Sequence, residues 1–416
     1  MTHRRTLRRF AALAVAYSTS TFGNFLNLIA LNLYTYHLTG SAVQTGILMA
    51  LKLTAGFLAG PVAGVLTTRY SRRLVMVVSD LAQAVAMLAL VLTPASFHLP
   101  LLYGVAAVLG AGNTLFLVAL RSSVPEMVGA DHRARANGYL VTGKAIGMVA
   151  GFASAGAVIG WLGFGSAFGL NAASFVVSAL VVAWLPLRFR SAGVADPASR
   201  QPGHPLRFAR VLYGVAPVLV AMLALRGLDA FGSASHNVAF PVYAGVVSPG
   251  NAAWFLSQFW VCWGVGSLAA SRLTPRWLGR SSTSVAERAF AVAVCVMSAG
   301  FVAAFLGLPL PLLAVAAVVA GLADGCTEIV YTSRLQATRD DLRGAVFGLS
   351  ATTETFGFAA GMLASSVMLE ALPVPPVVAG FHGLAVLGAV AFLVLRRARR
   401  DSAGGQPAPV HDTATR

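Results

Sequence analysis

Long apolar stretches alternate with short polar ones along almost the whole chain. A helix that crosses a lipid bilayer needs about 20 consecutive, mostly apolar residues. Stretches of this kind recur twelve times, and each predicts one membrane-spanning helix. They cover residues 11–36, 42–67, 74–94, 99–121, 136–160, 165–186, 213–243, 252–274, 286–306, 311–334, 344–369 and 374–395.

One long polar segment, punctuated by proline and glycine, divides this series near its middle. It predicts a central loop at 188–212 between an N-terminal six-helix half, 1–187, and a C-terminal six-helix half, 213–396. The remaining residues, 397–416, are rich in Ala, Gly, Pro and Thr, which is typical of a disordered tail. The predicted fold class is an all-α membrane protein with twelve transmembrane helices, whose halves are related by pseudo-two-fold symmetry.

Composition supports this interpretation, because 57% of the residues are hydrophobic and only 11% are charged. Soluble domains carry roughly 25% charged residues. The net charge of +16 comes from 30 lysines and arginines. Apart from Lys52, Lys144 and Arg226, all of them lie in a terminus or an even-numbered connection between helices, and the odd-numbered connections carry none. The positive-inside rule therefore predicts a multi-pass protein of the bacterial inner membrane, with both termini, the central loop and the tail in the cytoplasm. The positive charge is thus explained by the orientation of the chain in the membrane, so we expect no nucleic-acid partner.

The second half of the chain repeats features of the first at a nearly constant shift. A polar stripe on the first predicted helix follows one helical face and falls on polar residues of the seventh. The matched residues are Ser20 and Asp229, Phe22 and Phe231, Gly23 and Gly232, Asn24 and Ser233, Asn27 and His236, Tyr34 and Tyr243, Arg133 and Arg343, Gly138 and Gly348, and Lys144 and Glu354. Parallel repeats of this kind place a substrate site between the halves, near the middle of the membrane.

Several acidic residues fall inside predicted spans, where an ionised side chain costs roughly 2.5–3.5 kcal/mol and needs a reason. Glu354, Asp324, Glu328 and Asp229 are the candidates for proton or ion coupling. Glu354 corresponds to Lys144 in the repeat, so it could carry a proton, bind a substrate cation, or form an ion pair between the halves. Asp324 and Glu328 lie one helical turn apart, so their like charges repel and favour a protonated or paired state.

The basic residues inside the spans are candidates for the substrate cavity. Lys52 and Lys144 are the only lysines in the chain, and each could instead pair with an acid and join two helices. Arg226 and Asp229 are spaced to pair with each other. Three intramembrane cations favour a carboxylate-bearing substrate, such as a carboxylate siderophore. The other cavity candidates are Asn24, Asn27, Tyr34, His236 and Tyr243, which could equally form hydrogen bonds between helices.

No pattern in the chain points to an enzyme, a cofactor or a metal. Motifs for zinc proteases, serine hydrolases and nucleotide-binding loops are missing from the sequence. The three cysteines, Cys262, Cys295 and Cys326, lie in apolar stretches without metal-ligand spacing, so we interpret them as small core residues.

The connection between the second and third predicted helices resembles the signature loop of the major facilitator superfamily, roughly G-x-L-x-D-R-x-G-R-R. The matching residues are Gly64, Leu66, Arg69, Arg72 and Arg73. Thr68 and Ser71 replace the usual Asp and Gly. The resemblance covers nearly the whole chain and implies a gating role for this loop together with Asp80, which we expect to form a salt bridge with the nearby arginines.

Two further segments, 121–138 and 168–178, resemble the branch of this superfamily that contains macrolide and enterobactin exporters. Two motifs of generic drug/proton antiporters are absent: the proline of the helix 5 motif at 151–156 and an arginine in helix 4. The resemblance and the topology favour a monomeric secondary transporter in the lipid bilayer that exports a small amphiphilic or charged molecule, such as a drug or siderophore-like metabolite. The hypothesis that it is a proton antiporter rests on Glu354, Asp324, Glu328 and Asp229. An importer on the same fold is the alternative, and a non-transporting sensor is a more remote one.

Overall fold

The computed structural model describes residues 2–128, 133–185 and 215–404, and within these ranges it is almost entirely helical. The element Arg133–Trp184 divides at Gly163 into α5 (133–162) and α6 (164–184). The other helices are α1 (Thr2–Thr39), α2 (Ala42–Arg69), α3 (Arg72–Leu92), α4 (His98–Val128), α7 (Pro217–Val247), α8 (Ala252–Leu278), α9 (Thr283–Ala303), α10 (Leu310–Gln336), α11 (Asp340–Ala371) and α12 (Val374–Gly404).

Local chemistry explains where several helices begin and end. The hydroxyls of Ser41 and Ser71 accept backbone N–H groups of the first turns of α2 and α3, which is the usual N-cap arrangement. Gly163 has φ 80°, a left-handed conformation that favours glycine and interrupts the helix between α5 and α6. Every predicted apolar segment overlaps a helix wherever the structure describes it.

Eight of the described helical elements are long and apolar enough to cross a membrane, with α5 and α6 counted as one element. The all-helical, multi-pass character predicted from the sequence is therefore confirmed, whereas the number of twelve spans stays a prediction. The predicted central loop lies outside the described residues. The C-terminal prediction needs a correction, because α12 continues through 397–404, a range expected to be disordered. Residues 405–416 lie outside the described ranges.

The helices pack as two sets. In the first set α1 packs on the α5–α6 element, α2 on α4, and α3 on α4 and the α5–α6 element. In the second set α7 packs on α11 and α12, α8 on α10, and α9 on α10 and α12. The most extensive contacts between the sets join α5 to α8 and α2 to α11.

The hydrophobic cores show that the two sets meet at one end of the bundle. We call the end where α2 meets α3 and α10 meets α11 the arginine-rich end, and the opposite end the arginine-poor end. One core at the arginine-poor end combines residues of both sets, among them Leu48, Phe168, Phe240 and Phe301. At the arginine-rich end the buried apolar residues fall into two separate clusters, one within each set. The sets are therefore joined at the arginine-poor end and apart at the other.

Equivalent contacts recur in the two sets. The hydroxyl of Tyr34 bonds His98, and the hydroxyl of Tyr243 accepts the N–H of Gly307, each across 64 residues of chain. Likewise, two glycines of α5 pack on the backbone of α1 as two glycines of α11 pack on the backbone of α7. These glycines are Gly147 and Gly151 in α5, and Gly357 and Gly361 in α11.

Candidate functional site: a charged cavity between the two sets of helices

Two adjoining cavities lie between the sets. One has a volume of about 580 Å³ and is lined mainly by the second set, whereas the other, of about 460 Å³, is lined mainly by the first. They share five lining residues, so they form one continuous space, which we call the central cavity. The shared residues are Leu28, Leu53, Asn237, Thr355 and Phe358.

Arg226 gathers three carboxylates from three helices on the cavity wall. Its Nη1 lies 3.0 Å from Oδ2 of Asp229 on α7, and its Nη2 lies 2.6 Å from Oε2 of Glu328 on α10. Its Nε lies 3.5 Å from Oε2 of Glu354 on α11. The pair predicted between Arg226 and Asp229 is therefore part of a larger cluster, in which one guanidinium faces three acids.

A second layer of polar side chains orients this cluster. The Ser350 hydroxyl donates to Oε1 of Glu354 at 2.6 Å, and it lies 2.7 Å from the hydroxyl of Tyr331. The Arg226 guanidinium also lies over the Tyr331 ring, 5.7 Å from its centroid, in a cation–π arrangement. Sequence reasoning missed both Tyr331 and Ser350. Their spacing was the available signal, because Tyr331 is three residues after Glu328 and Ser350 is four before Glu354.

Asp324 is the acid of this wall that remains unpaired. It lies one turn before Glu328 on α10 and lines the cavity. It is close enough to feel the charge of Arg226, but its carboxylate has no hydrogen-bond or ion-pair partner among the described residues. A carboxylate held open to a cavity in this way can accept a proton or a ligand cation.

The two lysines have different surroundings. Lys52 lines the first-set side of the cavity beside Asn32, Asn113 and Thr114, with no ion-pair partner in the part of the chain that the structure describes. Lys144 is exposed and lines neither part of the cavity, although it lies within electrostatic range of Glu328. The ion pair considered between Lys144 and Glu354 does not form, and Glu354 pairs with Arg226 instead.

Aromatic side chains form much of the remaining wall. Trp260 of α8 stacks on Phe152 of α5 with ring centroids 5.5 Å apart, so this contact joins the two sets. His236 lines the cavity, stacks on Phe301 at 3.6 Å, and places its Nδ1 3.0 Å from Nε2 of the buried His382. The wall thus combines flat apolar surfaces with a few polar groups, as small-molecule sites commonly do.

The predicted polar stripe of α1 does not reach the cavity. Asn24 and Asn27 are absent from its lining, and the amide of Asn27 is buried without a hydrogen-bond partner in the described residues. The hydroxyls of Tyr34 and Tyr243 join helices at the arginine-poor end instead. Asn32, Asn113 and Asn237, which sequence reasoning missed, supply the amide groups of the cavity.

The predicted gating loop lies at the arginine-rich end, with Arg69 and Arg73 at the ends of α2 and α3. Arg72 donates from Nη1 to the backbone oxygen of Ser122 at 2.7 Å, which ties α3 to α4. Asp80 is fully buried near Ser178, and neither of its carboxylate oxygens has a hydrogen-bond partner among the described residues. The salt bridge expected for Asp80 is therefore not formed. Gly64 has no neighbour within 4 Å of the position that a Cβ would take.

Glu370 forms a contact between the sets that the sequence did not reveal. At the arginine-poor end, its Oε1 accepts the Ser41 hydroxyl at 2.6 Å and the Val43 N–H at 3.1 Å. The α11 carboxylate thereby meets the N-terminus of α2, where negative charge is favoured. These bonds, led by the Ser41 hydroxyl, lower the pKa of Glu370 below its ordinary value of 4.5.

Within the described ranges, no group of three or more His, Cys, Asp or Glu side chains is arranged to hold a metal ion.

Comparison with known proteins places these features in a family. The Major Facilitator Superfamily profile matches residues 13–332, more than half of the chain. An uncharacterized MFS-type transporter, YfiS from Bacillus subtilis (strain 168), is 25% identical over 191 residues, which span 44% of this chain and 43% of that relative. The alignment thus covers less than half of the relative's length.

Two crystal structures of the nucleoside transporter NupG share the fold. A point mutant of NupG has a TM-score of 0.74 at 16% identity, over 93% of this chain and 99% of that one. A second NupG structure has a TM-score of 0.72 at 15% identity, over 94% and 99%. At these identities the likeness concerns the fold alone. The profile match over more than half of the chain shows that the chain belongs to the major facilitator superfamily, a family of multi-pass membrane transporters rather than enzymes.

Proposed function

We propose that this chain is a monomeric secondary active transporter that exports a small amphiphilic or charged molecule by alternating access, driven by protons. The observation that carries the proposal is the central cavity itself. It lies between two sets of helices that are joined at one end only, and a cluster of ionisable groups lines its wall. Alternating access requires a site of this kind, reached from one side at a time.

The arrangement supports a cytoplasm-facing state in the bacterial inner membrane. Arginines concentrate at the end where the sets are apart, and the positive-inside rule assigns that end to the cytoplasm. The equivalent contacts of Tyr34 and Tyr243, and of the paired glycines, support two six-helix halves related by pseudo-two-fold symmetry. Two halves of six helices each, with the arginine-rich end in the cytoplasm, correspond to twelve spans with both termini in the cytoplasm.

The Arg226 cluster supports proton coupling. Protonation of Glu354, Glu328 or Asp229 would release one contact of Arg226, so proton binding can change how α7, α10 and α11 hold together. Asp324 is open to the cavity and can exchange a proton directly. Each acid is to be neutralised in turn, as Glu354→Gln, Asp324→Asn, Glu328→Gln and Asp229→Asn. We expect at least one variant to lose the dependence of transport on the pH gradient in vesicles, and four unaffected variants would exclude proton coupling through these groups.

The cargo and direction can be found together by comparing a deletion strain with its complemented strain. Untargeted mass spectrometry of cells and spent medium, in iron-poor and iron-rich cultures, is the measurement. We expect a compound that is trapped in deletion cells and missing from their medium. Iron-dependent accumulation would support a siderophore-like cargo and the macrolide and enterobactin exporter branch.

Import on the same fold is the second candidate, because alternating access can move a substrate in either direction. A compound that deletion cells leave unconsumed in the medium would support import. Purified protein that binds a compound but shows no flux in vesicles would instead indicate a sensor.

A further inference from the structure

Two side chains of the central cavity carry unpaired charges of opposite sign. Lys52 of α2 lines one side, and Asp324 of α10 lines the other. Neither has an ion-pair partner among the described residues. Arg226 pairs directly with Asp229, Glu328 and Glu354, although one guanidinium does not neutralise three carboxylates. Among the described residues that line the cavity, Lys52 and Asp324 are the two charged side chains without a direct ion-pair partner, and the excess negative charge beside Asp324 adds to the attraction for a cation there.

The space between these two charges suits an apolar or aromatic body. Asn237, Thr355 and Phe358 lie where the two parts of the cavity join, so one molecule can extend from one part into the other. Trp260 and Trp263 provide flat surfaces on the Asp324 side, where an aromatic ring or a cation could stack.

Unpaired charges in such a space are costly unless something compensates them. A charged group taken from water into an apolar surrounding is stable only when paired or solvated. A ligand that carried a single charge would compensate one of these two side chains and leave the other unpaired. A ligand with both charges would compensate both.

We propose that the central cavity recognises an amphoteric molecule, with an anionic group at Lys52, a cationic group at Asp324 and an apolar or aromatic body between them. This proposal rests on the proposed function, because it takes the cavity as the transport site. Lys52 belongs to the first set of helices and Asp324 to the second, so such a ligand also links the two sets. The proposal is narrower than the earlier expectation of a carboxylate-bearing substrate, because the same molecule must also carry a cationic group.

The test uses four probes that share one body and differ in charge. Phenylalanyl-phenylalanine carries both charges, its C-terminal amide only the positive one, its N-acetyl derivative only the negative one, and the N-acetyl amide neither. Binding to the full-length protein in lipid nanodiscs is measured by titration calorimetry. A hydrogen bond to a charged group contributes about 1.5–3 kcal/mol, so we expect the doubly charged probe to bind roughly 10- to 100-fold more tightly than either singly charged one.

Two variants assign each charge to its residue. Lys52→Met should weaken the doubly charged and N-acetyl probes about tenfold or more and leave the amide unchanged. Asp324→Asn should weaken the doubly charged and amide probes and leave the N-acetyl probe unchanged. Lys144→Met and Asp80→Asn are the matched controls, because both residues lie outside the cavity lining, and neither should change the order of the four probes. Equal affinities for all four probes, or binding of none, would overturn the proposal.

Charged thiol reagents provide a measurement that needs no ligand. In a protein without its native cysteines, the thiol of Thr114→Cys, near Lys52, should react several-fold faster with an anionic methanethiosulfonate than with a cationic one. The thiol of Ser233→Cys, on the Asp324 side, should show the opposite preference. Loss of flux with these preferences intact would count against the transporter and leave the charge assignment standing. Transport flux without any charge preference at either cysteine would overturn the charge assignment and leave the transporter function standing.

Discussion

Arg226 is the counter-charge for most of the acidic side chains at the cavity. It is 14% exposed and pairs with Asp229, Glu328 and Glu354, so its removal leaves three neighbouring acids without a counter-charge. We expect Arg226→Gln to destabilise the protein by about 3 kcal/mol, the low end of the range seen when one partner of a buried ion pair is removed, because water can partly solvate Glu328 and Glu354, which are 55% and 32% exposed. Thermal unfolding in detergent at pH 7.5 measures this loss.

The same substitution should respond to a second change. Adding Glu354→Gln removes one of the three mutually repelling carboxylates and should restore part of the stability, because coupled neighbours are not additive. A defect of unchanged size in the double variant would show that packing and not charge explains the role of Arg226.

Glu287 holds a second ion cluster, at the arginine-rich end of α9. Its buried carboxylate pairs with Arg334 of α10 at 2.7 Å and with Arg396 of α12. Because the two arginines are 27% and 18% exposed, water can partly replace the lost partner. Glu287→Gln should therefore cost about 3 kcal/mol in thermal unfolding, at the low end of the range for buried pairs. The exposed Arg397→Ala is the matched control and should change stability by less than about 0.5 kcal/mol.

Sequence spacing anticipated contacts within one helix but not between helices. The pairing of Arg226 with Asp229 follows from their separation of three residues, and the structure forms it. The addition of Glu328 and Glu354 depends on how α10 and α11 pack beside α7, which no spacing in one chain segment reports. For the same reason the cavity roles of Asn32 and Asn237 went unnoticed, while Asn24 was placed there by helical periodicity alone.

At the scale of elements, apolar length predicted helices well because a bilayer demands a nearly fixed number of apolar residues. The interruption at Gly163 falls in the predicted connection between the fifth and sixth helices. The polar end of α12 was harder to predict, since its composition is typical of disorder but it continues an existing helix. The contact of Glu370 with Ser41 and Val43 joins two helix ends far apart in sequence, and composition gave no sign of it.

The contact of Glu370 with Ser41 and Val43 can hold the arginine-poor end closed, and we call it the latch. We expect Glu370→Gln and Ser41→Ala to shift the molecule toward opening at that end, because each removes charge or a donor from the contact. Distances between spin labels on α2 and α11 measure the shift. Ser166→Ala is the control, since that hydroxyl bonds only the Leu162 carbonyl of its own helical element. Unchanged distances in both latch variants would mean that the contact follows closure without stabilising it.

The latch should also respond to acid. Its donors lower the pKa of Glu370, so the ionised, latched form is favoured above the ordinary value of 4.5. That preference is present at neutral pH and is lost as pH falls through the lowered pKa. The fraction closed at the arginine-poor end should therefore stay constant from pH 7 to about pH 5.5 and fall in stronger acid. In Glu370→Gln, this last decrease should disappear.

For the whole molecule, the decisive feature is how α2 and α11 diverge. At the arginine-poor end Gly46 packs directly on Ser366, so the two helices are in close contact there. Toward the other end, the cavity-lining face of each helix continues into glycines with no neighbour within 4 Å of a Cβ position. These are Gly60 and Gly64 on α2, and Gly344 and Gly348 on α11. Gly56, one turn before Gly60, instead packs closely on the backbone of Gly110 in α4.

Alternating access explains these open glycines. The arginine-rich ends of the two sets must close when the other ends open, and positions without a side chain leave room for the helices to approach each other. A large side chain at Gly348 should fit the present state, where nothing contacts it, and should prevent that closure. We expect Gly348→Trp to fold with normal thermal stability, to keep the distance between spin labels at the arginine-rich ends of α2 and α11 as it is in the unsubstituted protein, and to lose transport in vesicles. Gly104→Trp, also without near neighbours but on α4 and off the cavity, should transport normally. Normal transport by Gly348→Trp would mean that these helix faces never meet, and that the two sets do not move as rocking bodies about the cavity.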